Sequence, residues 1–309
     1  VDQEKFGYGN GAPRKLSMKK GDLELKEQLP NNIKTVEIHN GDLKVTGAGD
    51  FAGGCTVDLK AQGRLVLEEN SGLSRLVTAP GSTIETNDHT LTVAKLQGDE
   101  LNAEVTGNLK LKPANNYIAT LNKKVAGKVE VEAVTNGTAT LQLRNDVDAV
   151  AFTSGGTAQK ATLTLMEENV NVGTLSLEKT GACDVSMRGS INRLEYAKTG
   201  NPLSKLELVN RSPSPRTIAF LDTGVGIQEI TVITDHANVP LIIQDGTSGW
   251  STLELKEKDT ELVVQSTNLL SGSEKTVWLN GNTLTLPGGN YQNLTMNVSQ
   301  LSSLDVKPT

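Results

Sequence analysis

Large aromatic side chains are scarce in this chain of 309 residues. Phenylalanine, tryptophan and tyrosine make up 3% of it, and hydrophobic residues as a whole make up 36%. That hydrophobic share is below the usual one for globular domains, and wide cores normally rely on large side chains. A narrow core stacked from Leu, Val, Ile, Thr and Ala does not need them. The composition therefore favours a long, thin core over a round one.

An excess of basic residues is also missing. The chain has 30 Lys and Arg against 36 Asp and Glu, which gives a net charge of −6 and a pI of about 5.3. Nucleic-acid binding normally requires a basic stripe. The small basic groups at 14–15, 19–20 and 123–124 are typical of solvated tails and turns. We therefore predict no nucleic-acid partner.

Long apolar runs are absent as well. None approaches the ~20 residues that a membrane-spanning helix needs, so no transmembrane segment is predicted in this chain. The sequence begins Val-Asp-Gln without an initiator Met. We expect it to start inside a longer precursor whose missing segment carries an export signal, which a lipid anchor could accompany. The two cysteines, Cys55 and Cys183, lie far apart in sequence, and a disulfide between distant coils of a repeat fold is not expected.

What the chain does have is a repeat. Residues 203–210 (LSKLELVN), 227–234 (IQEITVIT) and 250–257 (WSTLELKE) each contain an apolar residue, two mostly polar ones, and then apolar-polar-apolar. The central apolar residues Leu206, Ile230 and Leu253 are separated by 230 − 206 = 24 and 253 − 230 = 23 positions. The next unit adds Val277, a step of 24, and Leu294 then gives a step of 17. A short strand at such a period indicates a solenoid whose coils each add a rung to a parallel sheet.

Short period-2 segments, closed by Gly, Asn, Asp or Pro, fill the rest of the chain from residue 23 onward, and no helical periodicity interrupts them. We predict an all-β fold, a single-stranded parallel β-helix (β-solenoid). An antiparallel β-sandwich pair is the alternative, since strands at this spacing also occur in sandwiches. Residues 1–20 contain several glycines and basic residues and are predicted to be a flexible leader, with the solenoid domain at 21–309.

The residues at 40–47 (NGDLKVTG), echoed at 105–111 (VTGNLKL), and the glycine-rich turn at 47–50 (GAGD) resemble exported bacterial right-handed β-helix proteins, in particular adhesin-head domains of the GIN type. The resemblance is at fold level and covers most of 21–309. It implies a right-handed solenoid, export, and a surface or periplasmic location, without a catalytic motif. The spacing at Leu203, Leu206 and Leu208 also resembles leucine-rich repeats, but Arg211 stands where those repeats have Asn or Cys, and their helical half is missing.

Catalytic, cofactor and metal motifs are not found. The histidines are scattered, and no zinc, nucleotide-binding or nucleophile-elbow spacing occurs. We predict no catalytic residues, no cofactor and no metal. Carboxylates lining a groove would be needed for the alternative function, a polysaccharide-active lyase or hydrolase of pectin-lyase-like fold. The candidates are Glu68-Glu69, Glu167-Glu168, and Asp222 with Asp235 and Asp245; charged turn residues are the competing interpretation.

Aromatic residues cluster toward the C-terminus, where Trp250, Trp278 and Tyr291 are the predicted ligand-binding residues. Flat rings on a surface stack against sugars, whereas packing in the core is the competing interpretation. We therefore predict a non-catalytic exported protein at the cell surface or in the periplasm. Its solenoid would serve adhesion, ligand binding or scaffolding, with carbohydrate or a surface protein as partner.

Overall fold

The structure, a computed structural model, describes residues 14–47, 51, 54–112, 116–133, 137–154, 159–178, 181–197, 202–224, 226–299 and 302–307. Most of the predicted leader, 1–13, and the end of the glycine-rich turn, 48–50, lie outside the described residues.

The protein is an all-β parallel β-solenoid of about 12 turns, which confirms the predicted fold class. The strand pairings found among the described residues are all parallel, so the antiparallel sandwich alternative is wrong. The strands are β1 (Arg14–Met18), β2 (Leu23–Leu25), β3 (Ile33–Val45), β4 (Thr56–Leu67), β5 (Ser71–Leu73), β6 (Arg75–Thr78), β7 (Thr83–Val93), β8 (Glu100–Leu101), β9 (Glu104–Leu111), β10 (Tyr117–Leu121), β11 (Val125–Ala133), β12 (Thr138–Leu143), β13 (Val147–Ser154), β14 (Gln159–Leu165), β15 (Asn171–Glu178), β16 (Gly181–Met187), β17 (Ser190–Tyr196), β18 (Leu203–Asn210), β19 (Arg216–Asp222), β20 (Ile227–Thr234), β21 (Leu241–Gly246), β22 (Trp250–Leu255), β23 (Glu261–Val264), β24 (Lys275–Trp278), β25 (Thr283–Leu286), β26 (Leu294–Asn297) and β27 (Ser303–Val306). Two short 3-10 turns, Gln97–Asp99 and Thr267–Leu270, are the helical segments of the described residues.

The chain divides into two compact units, Val1–Glu132 with Asn145–Asp148, and Ala133–Arg144 with Ala149–Thr309. The first unit contains the longest strands, β3, β4 and β7, of 13, 12 and 11 residues. It also contains β1, which lies within the predicted leader and pairs with β3. In the second unit, shorter strands alternate between two parallel ladders, one through the even-numbered strands β12 to β26 and one through the odd-numbered strands β15 to β27.

The register of the second unit follows the repeat closely. Leu206, Ile230, Leu253 and Val277 are Cα partners on successive strands, so the predicted steps are confirmed. The predicted spacing to the following coil is wrong. Val277 pairs with Met296 and not with Leu294, so the coil has 296 − 277 = 19 residues rather than 17.

The core of the second unit is built from stacked rows of aliphatic side chains. One such row runs through Leu208, Val232 and Leu255, each fully buried. Burial of an aliphatic side chain of this size stabilises the fold by roughly 1.5–3 kcal/mol. Each residue of a row becomes fully buried only when the next coil covers it. Cys55 and Cys183 are buried free thiols, and Cys183 stands in such a row between Ala161 and Leu206.

Polar side chains inside the corners between ladders help each coil to turn. Asn282 is 2% exposed; its Nδ2 donates to the Leu255 carbonyl at 3.0 Å, and its Oδ1 accepts from the Thr260 amide at 2.9 Å. Both partners belong to the preceding coil. The backbone groups freed by the turn are thereby satisfied without water.

Candidate functional site

Trp250 lies in the core. It is 2% exposed, and its indole Nε1 donates to the Leu269 carbonyl at 2.8 Å. The ammonium of the buried Lys275 lies 5.3 Å from the centre of its ring. Trp250 is the Cα partner of Ile227, which is the partner of Leu203, so the indole occupies one position of a buried row. It presents no ring face to solvent.

Trp278 lies on the outside of the solenoid wall. It ends β24 and is 45% exposed. Its Cα partners are Glu254 on the preceding coil and Asn297 on the following one. Since successive residues of a strand point to opposite faces, the buried Val277 places Trp278 outward. A large apolar ring is thus held between a carboxylate and a carboxamide.

A row of hydroxyl groups runs beside this ring. Thr252, Thr276 and Thr295 are Cα partners on β22, β24 and β26, and all three are at least partly exposed. We call the outward residues of these three strands, Thr252, Glu254, Thr276, Trp278, Thr295 and Asn297, the tryptophan face. Backbone ladders hold the rungs about 4.8 Å apart, so these groups are fixed relative to one another.

The chemistry of the tryptophan face suits a sugar. The apolar face of a pyranose ring can pack on an indole, while its hydroxyl groups need donors and acceptors around the rim. Glu254 provides acceptors, Asn297 provides both, and the threonine row provides hydroxyl groups. A neighbouring amide, Asn280 Nδ2, donates to Glu254 at 3.1 Å and orients that carboxylate. None of the six side chains is basic.

Tyr291 lies in the connection between β25 and β26, half-buried, and is not part of the tryptophan face. Its hydroxyl donates to the Pro287 carbonyl. Burial raises the pKa of the Tyr291 phenol. The structure therefore does not bring the three predicted residues together on one surface. Ligand binding by Trp250, Trp278 and Tyr291 stays a prediction, and Trp278 is the one whose ring is open to a ligand.

Four of the carboxylates considered for an enzymatic site are held in ion pairs with arginine. Glu167 lies 3.0 Å from Arg144 and Glu168 lies 3.2 Å from Arg216. Asp235 lies 2.7 Å from Arg211, and Asp222 forms an ion pair with Arg193. Glu68 and Glu69 directly follow β4, and Glu68 is exposed.

Asp245 accepts hydrogen bonds from the Gly246 amide at 2.8 Å and from Asn268 Nδ2 at 3.2 Å. Hydrogen bonding, first from Ser266 and then from Gly246, lowers the pKa of this carboxyl. A glycosidase acid needs the opposite, a raised pKa that keeps its proton near neutral pH. The hydrogen bonds of Asp245 therefore favour a capping role over acid catalysis for this residue.

Charged rows on the outer face of the even-numbered ladder are also internally paired. Lys205 lies 3.0 Å from Glu229 of the next coil, and Lys160 forms an ion pair with Asp184 of its neighbour. The Lys205 ammonium, as the largest influence, lowers the pKa of Glu229. These ion pairs link adjacent coils. Among the described residues of this outer face, the large exposed ring belongs to the tryptophan face.

The most perturbed carboxylate is Glu37 on β3, which sequence reasoning missed. It is 7% exposed and lies 2.5 Å from Lys15, 3.2 Å from His39 Nε2 and 3.5 Å from Lys60, and it accepts from Ser17 Oγ at 3.0 Å. The Lys15 ammonium, with help from His39 and Ser17, lowers the pKa of Glu37 to about 2 against the opposing effect of burial. This cluster joins β1, β3 and β4.

Within the described ranges, no three or more His, Cys, Asp or Glu side chains are grouped so that they could hold a metal ion. The same residues include no helix with the length and apolarity to cross a bilayer. The function has to be inferred from the chain's own surfaces. Comparison with models of protein families, with curated proteins and with solved structures finds no match.

Proposed function

We propose that this chain is a non-catalytic, exported surface protein that binds carbohydrate on its tryptophan face. The observation that carries the proposal is the exposure of Trp278, 45%, on a rigid parallel ladder between Glu254 and Asn297. A core aromatic of this size buries 150–250 Å². This ring instead leaves much of its surface in water, where a ligand can cover it.

Rigidity supports binding at this position. The six residues of the tryptophan face stand on strands that are hydrogen-bonded on successive coils. Binding groups that are already ordered lose little entropy when a ligand arrives. The absence of a basic residue among the six favours a neutral glycan over an acidic one.

Export and a location at the cell surface or in the periplasm belong to the same proposal. They are supported by the resemblance to GIN-type adhesin-head domains, which also implies a right-handed solenoid. The DNA sequence upstream of Val1 tests this part directly. An export signal there is expected, and a cytosolic start codon adjacent to Val1 would contradict it.

Binding is tested by affinity gel electrophoresis against neutral polysaccharides of known linkage. We expect at least one of them to retard the wild-type protein and Trp278→Ala to lose about tenfold in affinity, which corresponds to roughly 1.4 kcal/mol. Trp278→Phe should retain part of the binding because it keeps a flat ring. Ile118→Ala is the matched control, since Ile118 is also exposed, 51%, but lies outside the tryptophan face. Equal retardation of the Trp278→Ala variant and the wild type would refute the assignment, as would a complete lack of retardation.

A further inference from the structure

A hollow in the second unit lies where three strands end. The hollow has a volume of about 240 Å³ and is formed at the carboxyl ends of β23, β25 and β27. These strands are consecutive rungs of the odd-numbered ladder. None of its lining residues belongs to the tryptophan face.

The walls of the hollow are mainly apolar. Val263, Val264, Leu286 and Pro287 supply aliphatic surface. Ligand sites usually combine such walls with a few polar groups, and they occupy about 300–1,000 Å³ for drug-sized molecules. This hollow is slightly smaller, close to the volume of about eight water molecules. It therefore suits a small molecule with an apolar part.

Three residues with polar side chains complete the lining, Gln265, Thr285 and Lys307. Among the described residues of the lining, Lys307 is the only charged one. Elsewhere in this unit, Lys160 and Lys205 are paired with carboxylates. The Lys307 side chain, in contrast, makes no ion pair or hydrogen bond with the part of the chain that the structure describes.

We propose that this hollow binds a small apolar molecule that carries one negatively charged group, a short-chain carboxylate in chemical class. Its alkyl chain packs against Val263, Leu286 and Pro287. Its carboxylate meets the Lys307 ammonium, with Gln265 and Thr285 as further donors. The described residues that line the hollow include no carboxylate side chain to compete for the lysine. This site is independent of carbohydrate binding and stands or falls separately from it.

Three probes of equal chain length separate charge from apolar contact. Hexanoate, hexan-1-ol and hexylamine are titrated into the full chain, and binding is followed by the NMR shifts of the Val263 and Leu286 methyl groups. Hexanoate is expected to shift these methyl signals saturably and to bind about tenfold more tightly than hexan-1-ol, since one charge-assisted contact is added. Hexylamine should bind more weakly than both. Equal affinities for the three probes, or shifts confined to other methyl groups, would overturn the proposal.

Variants then assign the charge to one residue. Lys307→Gln should lower hexanoate affinity about tenfold, to the level of hexan-1-ol, while leaving hexan-1-ol binding unchanged. Lys307→Arg keeps the charge and should retain binding. Lys258→Gln is the control, because Lys258 is an exposed lysine of the same unit outside the hollow. Unchanged hexanoate binding in Lys307→Gln, or an equal loss in the Lys258→Gln control, would refute the assignment.

Discussion

Replacing Glu37 by Gln is expected to loosen β1 from the solenoid wall. The pKa of Glu37 falls from 4.5 to about 2 on folding, chiefly through the Lys15 ammonium on β1. At ~1.4 kcal/mol for each pKa unit, the full shift corresponds to about 3 kcal/mol. Lys15 is half exposed, with 53% of its side chain accessible, so solvent screens the pair. We therefore expect a loss of about 1–2 kcal/mol.

Amide hydrogen exchange measures this loss where it occurs. Exchange of the β1 amides in Glu37→Gln at pH 7 should be roughly 5–30 times faster than in the wild type, because local opening of this strand becomes easier. The folded pKa of Glu37 lies below the unfolded one, so the stabilisation is complete above about pH 4.5 and is lost as pH falls through about 2. After correction for intrinsic exchange, wild-type protection should decline over that window. Protection in the variant should not.

The matched control is Glu24→Gln. Glu24 also pairs with a lysine, Lys26, at 3.4 Å, but its side chain is 46% exposed and it lies on β2. Its substitution should leave β1 exchange unchanged. If both variants accelerate β1 exchange equally, or if the acid-dependent decline survives in Glu37→Gln, the assignment of β1 docking to Glu37 is wrong.

Two buried polar residues of the second unit give opposite expectations. Asn282→Ala should destabilise the protein by about 1–3 kcal/mol, because the Thr260 amide loses its acceptor in a corner closed to water and the Leu255 carbonyl keeps only the donor from Asn280 Nδ2. Thermal unfolding followed by circular dichroism measures this loss, and an unchanged melting temperature would contradict it. Lys275→Met should stabilise by about 1–2 kcal/mol at pH 7, since the lysine is 2% exposed and has no carboxylate partner among the described residues. Burial lowers the pKa of Lys275 below 10.5, so the stability of the wild type rises as the pH approaches 10.5. The difference in unfolding free energy between wild type and variant, measured by urea unfolding, should therefore become smaller at high pH. A less stable Lys275→Met variant would mean that the contact with Trp250 outweighs the cost of burying the charge.

Sequence periodicity predicted the ladder of the second unit because its core rows are aliphatic at Leu206, Ile230 and Leu253. The prediction failed at the next coil for a physical reason. The apolar pattern aligns Leu294 with Val277, whereas its Cα partner is Lys275, a lysine that occupies a core position. A charged residue on the buried face conceals the register from any hydrophobic pattern.

The positions of the two tryptophans could have been distinguished from the sequence. Trp250 occupies the place that Leu203 and Ile227 hold in the earlier repeats, and both are buried. Trp278 directly follows Val277, so strand alternation places it outward. The Glu37 cluster could not be predicted in this way. Its partners lie on neighbouring coils, and the side chains that meet across coils depend on turn lengths that no local pattern specifies.

Rows in the second unit remain aligned although the coils differ in length. The step from Leu163 to Val185 is 185 − 163 = 22 residues, and the step from Val277 to Met296 is 296 − 277 = 19, yet both pairs are in register. The turns therefore absorb this difference in length, and the paired strands stay in register. A foreign peptide inserted into the exposed turn at 256–259 should leave the rows on either side stacked as before. This solenoid could then carry grafted epitopes in its turns. The distance between two epitopes would be a whole number of coil-to-coil spacings.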